Sequence, residues 1–351
     1  MRVALIGAGN IADRYAACIV DEPALTLAGV TDVLPGRAAA LADRFGGQAY
    51  GTLGEVLADD AVDVVVNLTA PAAHAEVTAA ALEAGKHVHT EKPVALDGAT
   101  ARELAALADK HGVRLSCAPS TLLGEAQQTL WKSVRKGDLG DVRVVYAEAN
   151  WGRLETWHPT PEALYASGPV FDVGIYPLTI VTAMLGPVRR VVGYAATIEA
   201  QRVRLDGTPF ALQTPDFHVA ALELESGVVV RLTATFWVGP GKQRGLEVHG
   251  SSASMWMPDW AGFGSRLQRT KDGEHYEDVP LVRPPYAGID WARALVELGE
   301  AVAADRPHRM GAEHAAHVVD AVEALDRSRL EGGPVEVTSS FPAPAPMEWA
   351  T

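Results

Sequence analysis

The chain of 351 residues is poor in cysteine and in positive charge, and each shortage excludes a class of protein. Its two cysteines, Cys18 and Cys117, fall in a helix pattern and a strand pattern, so a disulfide-stapled scaffold is not indicated. Asp and Glu number 44 against 30 Lys and Arg, and the formal charge of −14 repels a phosphate backbone or an anionic lipid surface. We therefore expect a reducing compartment and no nucleic-acid partner.

Long hydrophobic runs are also scarce. The runs 62–70 and 176–185 are shorter than the roughly 20 residues that cross a bilayer, so no membrane span is predicted. The first residues enter a strand pattern without the features of an export signal, which predicts a cytoplasmic protein. Hydrophobic residues nevertheless make up 48% of the chain, enough for sizeable cores, and the length favours two domains.

Up to about residue 120, short apolar strand patterns alternate with longer helix patterns. The strand patterns stand at 3–6, 25–30, 62–66, 87–90 and 113–117, and the helix patterns at 11–20, 36–45, 72–84 and 97–111. Parallel strands need such helical crossovers, because tight turns cannot join them. Residues 1–120 are therefore predicted to form an α/β domain with a doubly wound parallel sheet.

After residue 120 the pattern changes to α+β. A helix is expected at 124–136 and a long strand at 142–151, and two pairs of strand patterns flank the glycine-containing turns 225–227 and 272–273. Consecutive hairpins build an antiparallel sheet. Two helices with apolar stripes close this domain, predicted as 121–340, and 341–351 is predicted to be a proline-rich surface tail.

A glycine-rich turn follows the first strand and opens the first helix. Gly7-Ala8-Gly9-Asn10-Ile11-Ala12 has the G-x-G-x-x-A form, in which the backbone approaches a pyrophosphate at a helix N-terminus. Asp32 ends the second strand, where a carboxylate can accept both ribose hydroxyls and repel a 2′-phosphate. This pattern predicts NAD in preference to NADP, although Arg37 could turn in to pair with a phosphate.

Three further motifs resemble the glucose-fructose oxidoreductase, inositol dehydrogenase and MocA (Gfo/Idh/MocA) family of nicotinamide-dependent oxidoreductases. They are Asn67-Leu68-Thr69-Ala70-Pro71-Ala72-Ala73-His74, Glu91-Lys92-Pro93 and Phe171-Asp172-Val173-Gly174-Ile175-Tyr176. The resemblance implies an N-terminal Rossmann domain and a C-terminal open, mostly antiparallel sheet with helices on one face. It also implies an active site in the crevice between them, a cis Lys92-Pro93 bond, and a homodimer or homotetramer formed through the outer faces of the sheets. The coenzyme residues it adds to the glycine turn are Thr69, Pro71, His74, Glu91 and Lys92.

The candidate catalytic residues are Lys92, Asp172 and Tyr176. Lys92 stands at the carboxyl end of a predicted parallel strand, where ligands of doubly wound sheets bind, and Asp172 and Tyr176 are four residues apart on a segment of helical period. The family pattern more often has histidine at the tyrosine position. A phenol with a pKa near 10 needs a cation to ionise near neutrality, and Lys92 is the predicted source.

Trp151, Arg153 and His158 follow the long strand and are candidate substrate residues, since an aromatic face and hydrogen-bond donors suit a polyhydroxylated ring. The apolar segment 118–123 replaces an aromatic and arginine pair of many family members, which favours a neutral sugar, cyclitol or related polyol over an anionic substrate. No metal site is predicted. Two rival interpretations are an NADP-dependent ketosugar reductase and a non-catalytic sugar or nucleotide sensor of the same fold.

Overall fold

The first half of the chain forms a parallel sheet flanked by helices. A computed structural model describes residues 1–239 and 241–351. In chain order the first eleven elements are β1 (Arg2–Ile6), α1 (Ala12–Asp21), β2 (Thr26–Thr31), α2 (Pro35–Phe45), β3 (Gln48–Ala49), α3 (Leu53–Ala58), β4 (Val64–Asn67), α4 (His74–Glu83), β5 (His87–Thr90), α5 (Gly98–His111) and β6 (Leu115–Cys117).

The strands lie in the order β3-β2-β1-β4-β5-β6 and are all parallel. Val64, Val65 and Val66 are fully buried, as expected of a central strand covered by helices on both faces. The order reverses between β1 and β4, and in sheets of this kind ligands bind at the carboxyl ends of the strands beside that switch point. The structure thus confirms the predicted doubly wound domain and places its ligand-binding edge.

The second half adds an antiparallel sheet with helices. Its elements are α6 (Glu125–Arg135), β7 (Val142–Asn150), α7 (Glu162–Pro169), α8 (Ile175–Leu185), β8 (Val188–Ala196), β9 (Gln201–Val203), β10 (Pro209–Ala211), β11 (Phe217–Leu224), β12 (Val229–Thr235), β13 (Gly245–Gly250), β14 (Ser254–Met257), β15 (Gln268–Thr270), β16 (Glu277–Asp278), α9 (Arg293–Ala303), α10 (Ala312–Glu331) and β17 (Val335–Glu336).

Nine of these strands form one sheet in the order β16-β15-β14-β13-β7-β12-β11-β8-β17. Within it β7 and β12 are parallel and the other neighbours are antiparallel. Both predicted hairpins are present, and Gly227 and Gly273 take the positive φ angles that their turns require. At Gly193 of β8 a Cβ would lie 2.8 Å from the Leu325 carbonyl oxygen of α10, so the absence of a side chain lets the helix approach the strand closely.

The chain divides into two compact units whose boundaries differ from the predicted 1–120, 121–340 and 341–351. The first unit consists of residues 1–123 and 290–319, and the second of residues 124–289 and 320–351. Leu295 and Leu298 of α9 are fully buried in one core with Val3 and Leu5 of β1. The apolar stripe of α9 therefore packs on the N-terminal sheet, which lies far away in the sequence.

The C-terminal tail, residues 341–351, is anchored to α6 by hydrogen bonds. Within the second unit, Gln128 Oε1 of α6 accepts a hydrogen bond from the Met347 amide at 2.9 Å, and the Arg135 guanidinium donates to the Ala350 carbonyl at 2.6 Å. Phe341 and Met347 are less than a tenth exposed. These apolar side chains anchor a segment whose prolines prevent it from joining a helix or a central strand.

The predicted helical segment 170–185 is a composite. Residues Val170–Gly174 form a π-helix and α8 follows directly. Pro177 has no N–H to donate to the Val173 carbonyl, so an uninterrupted α-helix would lose that bond at this point. Together with α7, the stretch Glu162–Leu185 is long and apolar enough to cross a membrane, which the sequence analysis did not anticipate. This is weak evidence of a span, because 72% of its most apolar window is buried and core helices pass the same test.

Candidate functional site

The glycine-rich turn joins β1 to α1 at the ligand-binding edge of the parallel sheet. Gly7 has a φ of +102°, and a Cβ there would lie 2.8 Å from the Leu68 carbonyl oxygen, so only glycine fits without strain. A Cβ on Gly9 would have no atom of the described residues within 4 Å, apart from its two neighbours in the chain. Gly9 is thus not required by internal packing, and the open space beside it is the kind of cradle that a pyrophosphate occupies. No side chain caps the N-terminus of α1 at Ile11, although the Ala12 amide already donates to the Gly9 carbonyl at 3.0 Å and the Arg14 amide to the Ile11 carbonyl at 3.1 Å.

Asp32 stands directly after β2 and is tied to this turn. One carboxylate oxygen accepts the Ala8 amide at 2.7 Å, and the other accepts the Leu34 amide at 2.8 Å. These two bonds fix the carboxylate at the carboxyl end of β2 while each oxygen keeps a lone pair for another donor. Asn10 is exposed beside the turn, and Arg37 is exposed on α2.

Thr69, His74 and the Lys92-Pro93 segment are brought together through one buried ring. His74 is 1% exposed, and its Nδ1 lies 2.7 Å from the Pro93 carbonyl oxygen while its Nε2 lies 3.0 Å from that of Thr69. Carbonyl oxygens only accept, so the ring donates to at least one of them and holds the two segments at a fixed separation. Pro71 begins a short 3-10 turn between Thr69 and His74, and the Lys92-Pro93 bond is cis, as the resemblance implied.

Glu91 ends a chain of buried hydrogen bonds that the sequence analysis missed. The Tyr15 hydroxyl donates to Glu91 Oε1 at 2.8 Å and lies 3.2 Å from His89 Nε2, and His89 Nδ1 lies 2.9 Å from the Ser116 hydroxyl. Since the tyrosine proton goes to the carboxylate, Nε2 must carry the histidine proton, and Nδ1 accepts from Ser116. Burial lowers the pKa of His89 to about 3, in keeping with this neutral ring.

This series of hydrogen bonds ends beside Lys92, because Glu91 Oε2 also accepts the Lys92 amide at 3.2 Å. Tyr15 is fully buried in α1, so its hydroxyl is held by packing, and the Glu91 carboxylate is held by that hydroxyl. This arrangement fixes the backbone from which the Lys92 side chain extends. Tyr15 could have been suspected only from its position on the buried face of the first helix.

In the second unit, an aromatic row connects two of the predicted residues. The rings of Tyr176 and Trp260 have centroids 4.8 Å apart, and those of Trp260 and Trp151 are 6.2 Å apart. Trp260 is 7% exposed and its indole N–H donates to the Glu148 carbonyl at 3.3 Å, whereas Trp151 is 47% exposed. The row therefore runs from the predicted acid/base to an exposed aromatic face. Sequence reasoning missed Trp260, whose glycine-rich surroundings carry no pattern.

Asp172 is half-buried in the π-helix, four residues before Tyr176. A Cβ on Gly174 would lie 3.2 Å from the Cβ of Ala234, so this glycine lets the π-helix approach β12. π-Helical turns inside helices are frequent at functional sites. The structure places Lys92 in the first unit and Asp172 and Tyr176 in the second, and the assignment of these three residues to one catalytic centre stays a prediction.

The other two candidate substrate residues lie in separate contacts of the second unit. Arg153 is about half exposed, and its guanidinium carbon lies 5.5 Å from the ring centroid of Trp237. His158 is half-buried, accepts the Thr160 amide at 3.1 Å and contacts the edge of Trp157. Trp151, Arg153 and His158 thus share one connecting segment, 151–158, without forming a single cluster through these contacts.

A cleft of about 660 Å³ in the first unit lies at the opposite edge of the parallel sheet. Met1, Lys86 and His87, which precede or begin strands, line it together with α9, and none of the predicted site residues does. Chemistry in doubly wound sheets occurs at the carboxyl ends, so we do not assign the coenzyme to this cleft. Among residues 1–239 and 241–351, no group of three or more His, Cys, Asp or Glu side chains is arranged to hold a metal ion.

Two family models match the two halves of the chain. Residues 1–118 match the oxidoreductase family model with an NAD-binding Rossmann fold, and residues 127–256 match the GFO/IDH/MocA C-terminal domain. The chain belongs to the Gfo/Idh/MocA family of oxidoreductases. The predicted family and both predicted sheet architectures are thereby confirmed.

Relatives within the Gfo/Idh/MocA family include sugar-acting enzymes. The chain is 33% identical over 195 residues to D-glucoside 3-dehydrogenase of Escherichia coli (strain K12), a match that covers 53% of this chain and 54% of that protein. The chain spans about half the length of the first curated relatives that it matches, at 54% of each.

Two solved structures share the fold over nearly the whole chain. A levoglucosan dehydrogenase in complex with NADH and L-sorbose has a TM-score of 0.83 at 18% identity, covering 97% of this chain and 99% of that one. A 3-ketoreductase from Actinomadura kijaniata in complex with NADP has a TM-score of 0.75 at 24% identity, covering 93% and 97%. At these identities the likeness shows the fold alone, and the two complexes contain different nicotinamide coenzymes.

Proposed function

We propose that this protein is an NAD-dependent oxidoreductase acting on a secondary alcohol or hemiacetal of a neutral sugar, cyclitol or related polyol. The observation that carries the proposal is the aromatic row that joins Tyr176, a half-buried phenol, through Trp260 to the exposed ring of Trp151. An aromatic face next to a proton-transfer group suits a substrate with an apolar C–H face and several hydroxyls. Membership of an oxidoreductase family supplies the reaction class.

The residues of the glycine turn fit a dinucleotide. The open space at Gly9, the uncapped first turn of α1 and the carboxylate of Asp32 form the three parts of such a site. Asn10, Ile11, Thr69, Pro71, His74 and Glu91 would complete it. A bound nicotinamide supplies the hydride acceptor or donor.

In the proposed mechanism, Tyr176 as a phenolate takes the proton of the substrate hydroxyl during oxidation and returns it during reduction. The Lys92 ammonium hydrogen-bonds the reacting oxygen and favours the ionised phenol by its charge. Asp172 orients a substrate hydroxyl or the lysine. Glu91 accepts the Lys92 amide and the His74 ring contacts the Pro93 carbonyl, and these two hydrogen bonds limit the movement of Lys92, so that its charge is held in place before the reaction.

NAD is proposed over NADP because Asp32 is held at the end of β2 by two backbone amides. A fixed carboxylate there favours ribose hydroxyls and repels a 2′-phosphate. Arg37, exposed on α2, is the residue that would favour NADP if it turned toward the site. A kcat/KM with NADP equal to or above that with NAD would overturn this choice and favour the ketosugar reductase.

The test is a panel of neutral sugars and cyclitols, with NAD or NADP, followed by the absorbance of the reduced nicotinamide. We expect oxidation of at least one polyol with NAD. If calorimetry showed that the protein binds sugar and coenzyme but oxidises no compound of the panel, the proposed enzymatic function would be wrong. The non-catalytic sensor would then be favoured.

We also propose that the protein is a homodimer or homotetramer that pairs through the second unit's sheet. On β8, Val192 and Tyr194 point away from α10 and are 48% and 62% exposed. Their cross-strand neighbours on β11 are Ala221 and Val219, so the outer face has a continuous apolar strip. Contiguous exposed apolar patches on a protein surface commonly mark protein–protein interaction sites.

A further inference from the structure

The second unit contains a buried charge cluster that the proposed mechanism does not use. Arg202 of β9 has 1% of its side chain exposed, and its guanidinium donates to Glu155 at 2.9 Å and to Asp216. Its Nε donates to the Glu199 carbonyl at 2.8 Å. Glu155 and Asp216 are themselves almost fully buried. Taking three charges out of water is expensive, so such a cluster does not by itself indicate stability and calls for another role.

Glu155 lies inside the segment 151–158, which contains all three candidate substrate residues. Its second carboxylate oxygen accepts the hydroxyl of Tyr165 in α7, and that hydroxyl also accepts the Leu154 amide at 3.1 Å. Burial raises the pKa of Tyr165, and the hydrogen bond to Glu155 raises it further, so the phenol remains a donor. The segment is therefore held at one point, Glu155, by Tyr165 on one side and Arg202 on the other.

Arg153 competes for the same carboxylate. Its Nε lies 4.0 Å from Glu155 Oε1, the oxygen that accepts from Arg202. The Trp237 ring contacts both guanidinium groups, with centroid distances of 4.6 Å to Arg202 and 5.5 Å to Arg153. Arg202 is enclosed on its side of the cluster, whereas about half of the Arg153 side chain is exposed. Because Arg202 donates directly to Glu155, Arg153 stays at the outer limit of ion-pair distance from that carboxylate, and about half of its side chain remains exposed.

We propose that Arg202 is a positioning residue for substrate specificity: by satisfying Glu155 it keeps the Arg153 guanidinium turned outward, as a donor to the hydroxyls of the substrate. This proposal rests on the proposed function for the identity of the ligand. Without Arg202, Glu155 would be a buried carboxylate with Arg153 as its nearest cation. Arg153 would move the short distance into the cluster, and the substrate would lose its donor.

The first experiment is a double-mutant cycle between Arg202→Met and Arg153→Met. We expect each single variant to raise the KM for the best panel polyol about tenfold and to change the KM for NAD less than about twofold. The double variant should show nearly the same KM as either single one, because both remove the same donor. Effects that multiply to about a hundredfold would overturn the proposal. Arg204→Gln is the matched control, since it breaks the more exposed pair with Glu162 near the same hairpin and should leave both KM values unchanged.

A second variant covers the case in which Arg202→Met does not fold. Tyr165→Phe removes one donor to Glu155 and preserves the ring, so Arg153 should be drawn inward partially. We expect the polyol KM to rise about threefold in the wild-type background and to stay unchanged in the Arg153→Met background. Equal increases in the two backgrounds would contradict a route through Arg153.

A measurement that needs no substrate separates this proposal from the proposed function. Amide hydrogen exchange of residues 154–158 should be faster in Arg202→Met, or in Tyr165→Phe, than in the wild type, with Arg204→Gln unchanged. If the wild type turned over no polyol but exchange responded as expected, the proposed function would fail and the positioning of the segment would stand. Unchanged exchange in the folded variants would overturn the inference even if the wild type were an active dehydrogenase.

Discussion

Tyr176 is the residue on which the proposed chemistry depends most. Its ring packs on Trp260, so replacement by phenylalanine preserves the stacking and removes only the hydroxyl. We expect Tyr176→Phe to lower kcat about a hundredfold, since a positioned acid/base contributes roughly that factor, and to leave NAD binding and the unfolding midpoint nearly unchanged. Steady-state kinetics and coenzyme titration would measure this.

The matched control is Tyr276→Phe. Tyr276 donates its hydroxyl to Glu247 at 2.8 Å near the β15–β16 hairpin, so the same atom is removed elsewhere in the second unit. Its kcat should equal that of the wild type. A Tyr176→Phe enzyme with near-normal kcat would refute the assigned role.

His89 gives the stability of the protein a pH dependence of known sign. Burial lowers its pKa to about 3, whereas the unfolded chain has the ordinary value near 6.5. Below pH 6.5 the unfolded state therefore binds a proton that the native state does not bind, and stability falls as the pH falls toward 3. At pH 5 the loss from this one residue is about 2 kcal/mol.

We expect His89→Gln to flatten the dependence of the denaturant midpoint on pH between 6.5 and 4, because an amide can replace both hydrogen bonds without titrating. His275→Gln is the contrasting control: the pKa of that exposed histidine is raised by Asp272, so any contribution has the opposite sign. A slope for His89→Gln as steep as that of the wild type would show that the pKa of the buried ring equals that of the unfolded chain.

At the scale of the element, the two glycines of the β1–α1 turn have different expected roles, Gly7 in the backbone conformation and Gly9 in coenzyme binding. Gly7→Ala would place a Cβ 2.8 Å from a backbone oxygen at a positive φ, so we expect a loss of more than about 1 kcal/mol in the free energy of unfolding. The methyl group of Gly9→Ala would meet no atom within 4 Å in the described part of the chain other than those of its sequence neighbours, so stability should be kept. Its methyl group would fill the proposed pyrophosphate cradle and weaken NAD binding at least tenfold. Thermal unfolding and coenzyme titration distinguish the two, and unimpaired NAD binding by Gly9→Ala would place the coenzyme elsewhere.

Helices and strands could be predicted from the sequence wherever local residue patterns define them. The strand His87–Thr90 has the predicted bounds, and the strand Phe217–Leu224 ends directly before the predicted turn 225–227, because turns or helices with clear signals flank them. The long strand β8 was not predicted, since Arg189 and Arg190 stand side by side in it and conceal the alternation expected of a strand.

The parts of the site that depend on contacts between residues far apart in the sequence could not be predicted. Trp260 reaches Tyr176 through the tertiary fold, and Arg202 is an arginine in a polar stretch that the sequence suggests is exposed. The glycine turn and Asp32 could be proposed as coenzyme residues because each stands at the end of a recognisable strand, whereas the segment from Thr69 to His74 was proposed from the family resemblance. The side chains that contact each other inside a core are determined by tertiary packing, which cannot be inferred from a single sequence.

At the scale of the whole molecule, the first unit is discontinuous in sequence. Residues 290–319 return to it after every strand of the second unit's sheet except β17, so the N-terminal core with Val3 and Leu5 is completed only by α9. A fragment ending near residue 120 would expose the face that Leu295 and Leu298 cover. The Rossmann part of this chain is therefore not an independent module in the way its motifs suggest.

Assembly is the remaining property at this scale, and the outer face of β8 allows a direct test. Tyr194→Asp puts a charge in the middle of the apolar strip formed with Val192, Val219 and Ala221, and burying an unpaired charge at an interface is strongly unfavourable. We expect the wild type to elute as a dimer or tetramer in size-exclusion chromatography with light scattering, and Tyr194→Asp to shift to smaller species at the same concentration. Val20→Asp, at a half-exposed position on α1 of the first unit, is the control and should leave the assembly intact. A wild type that is monomeric at micromolar concentration, or a Tyr194→Asp variant of unchanged mass, would show that this sheet face is open to solvent, and the apolar strip would then need a different partner.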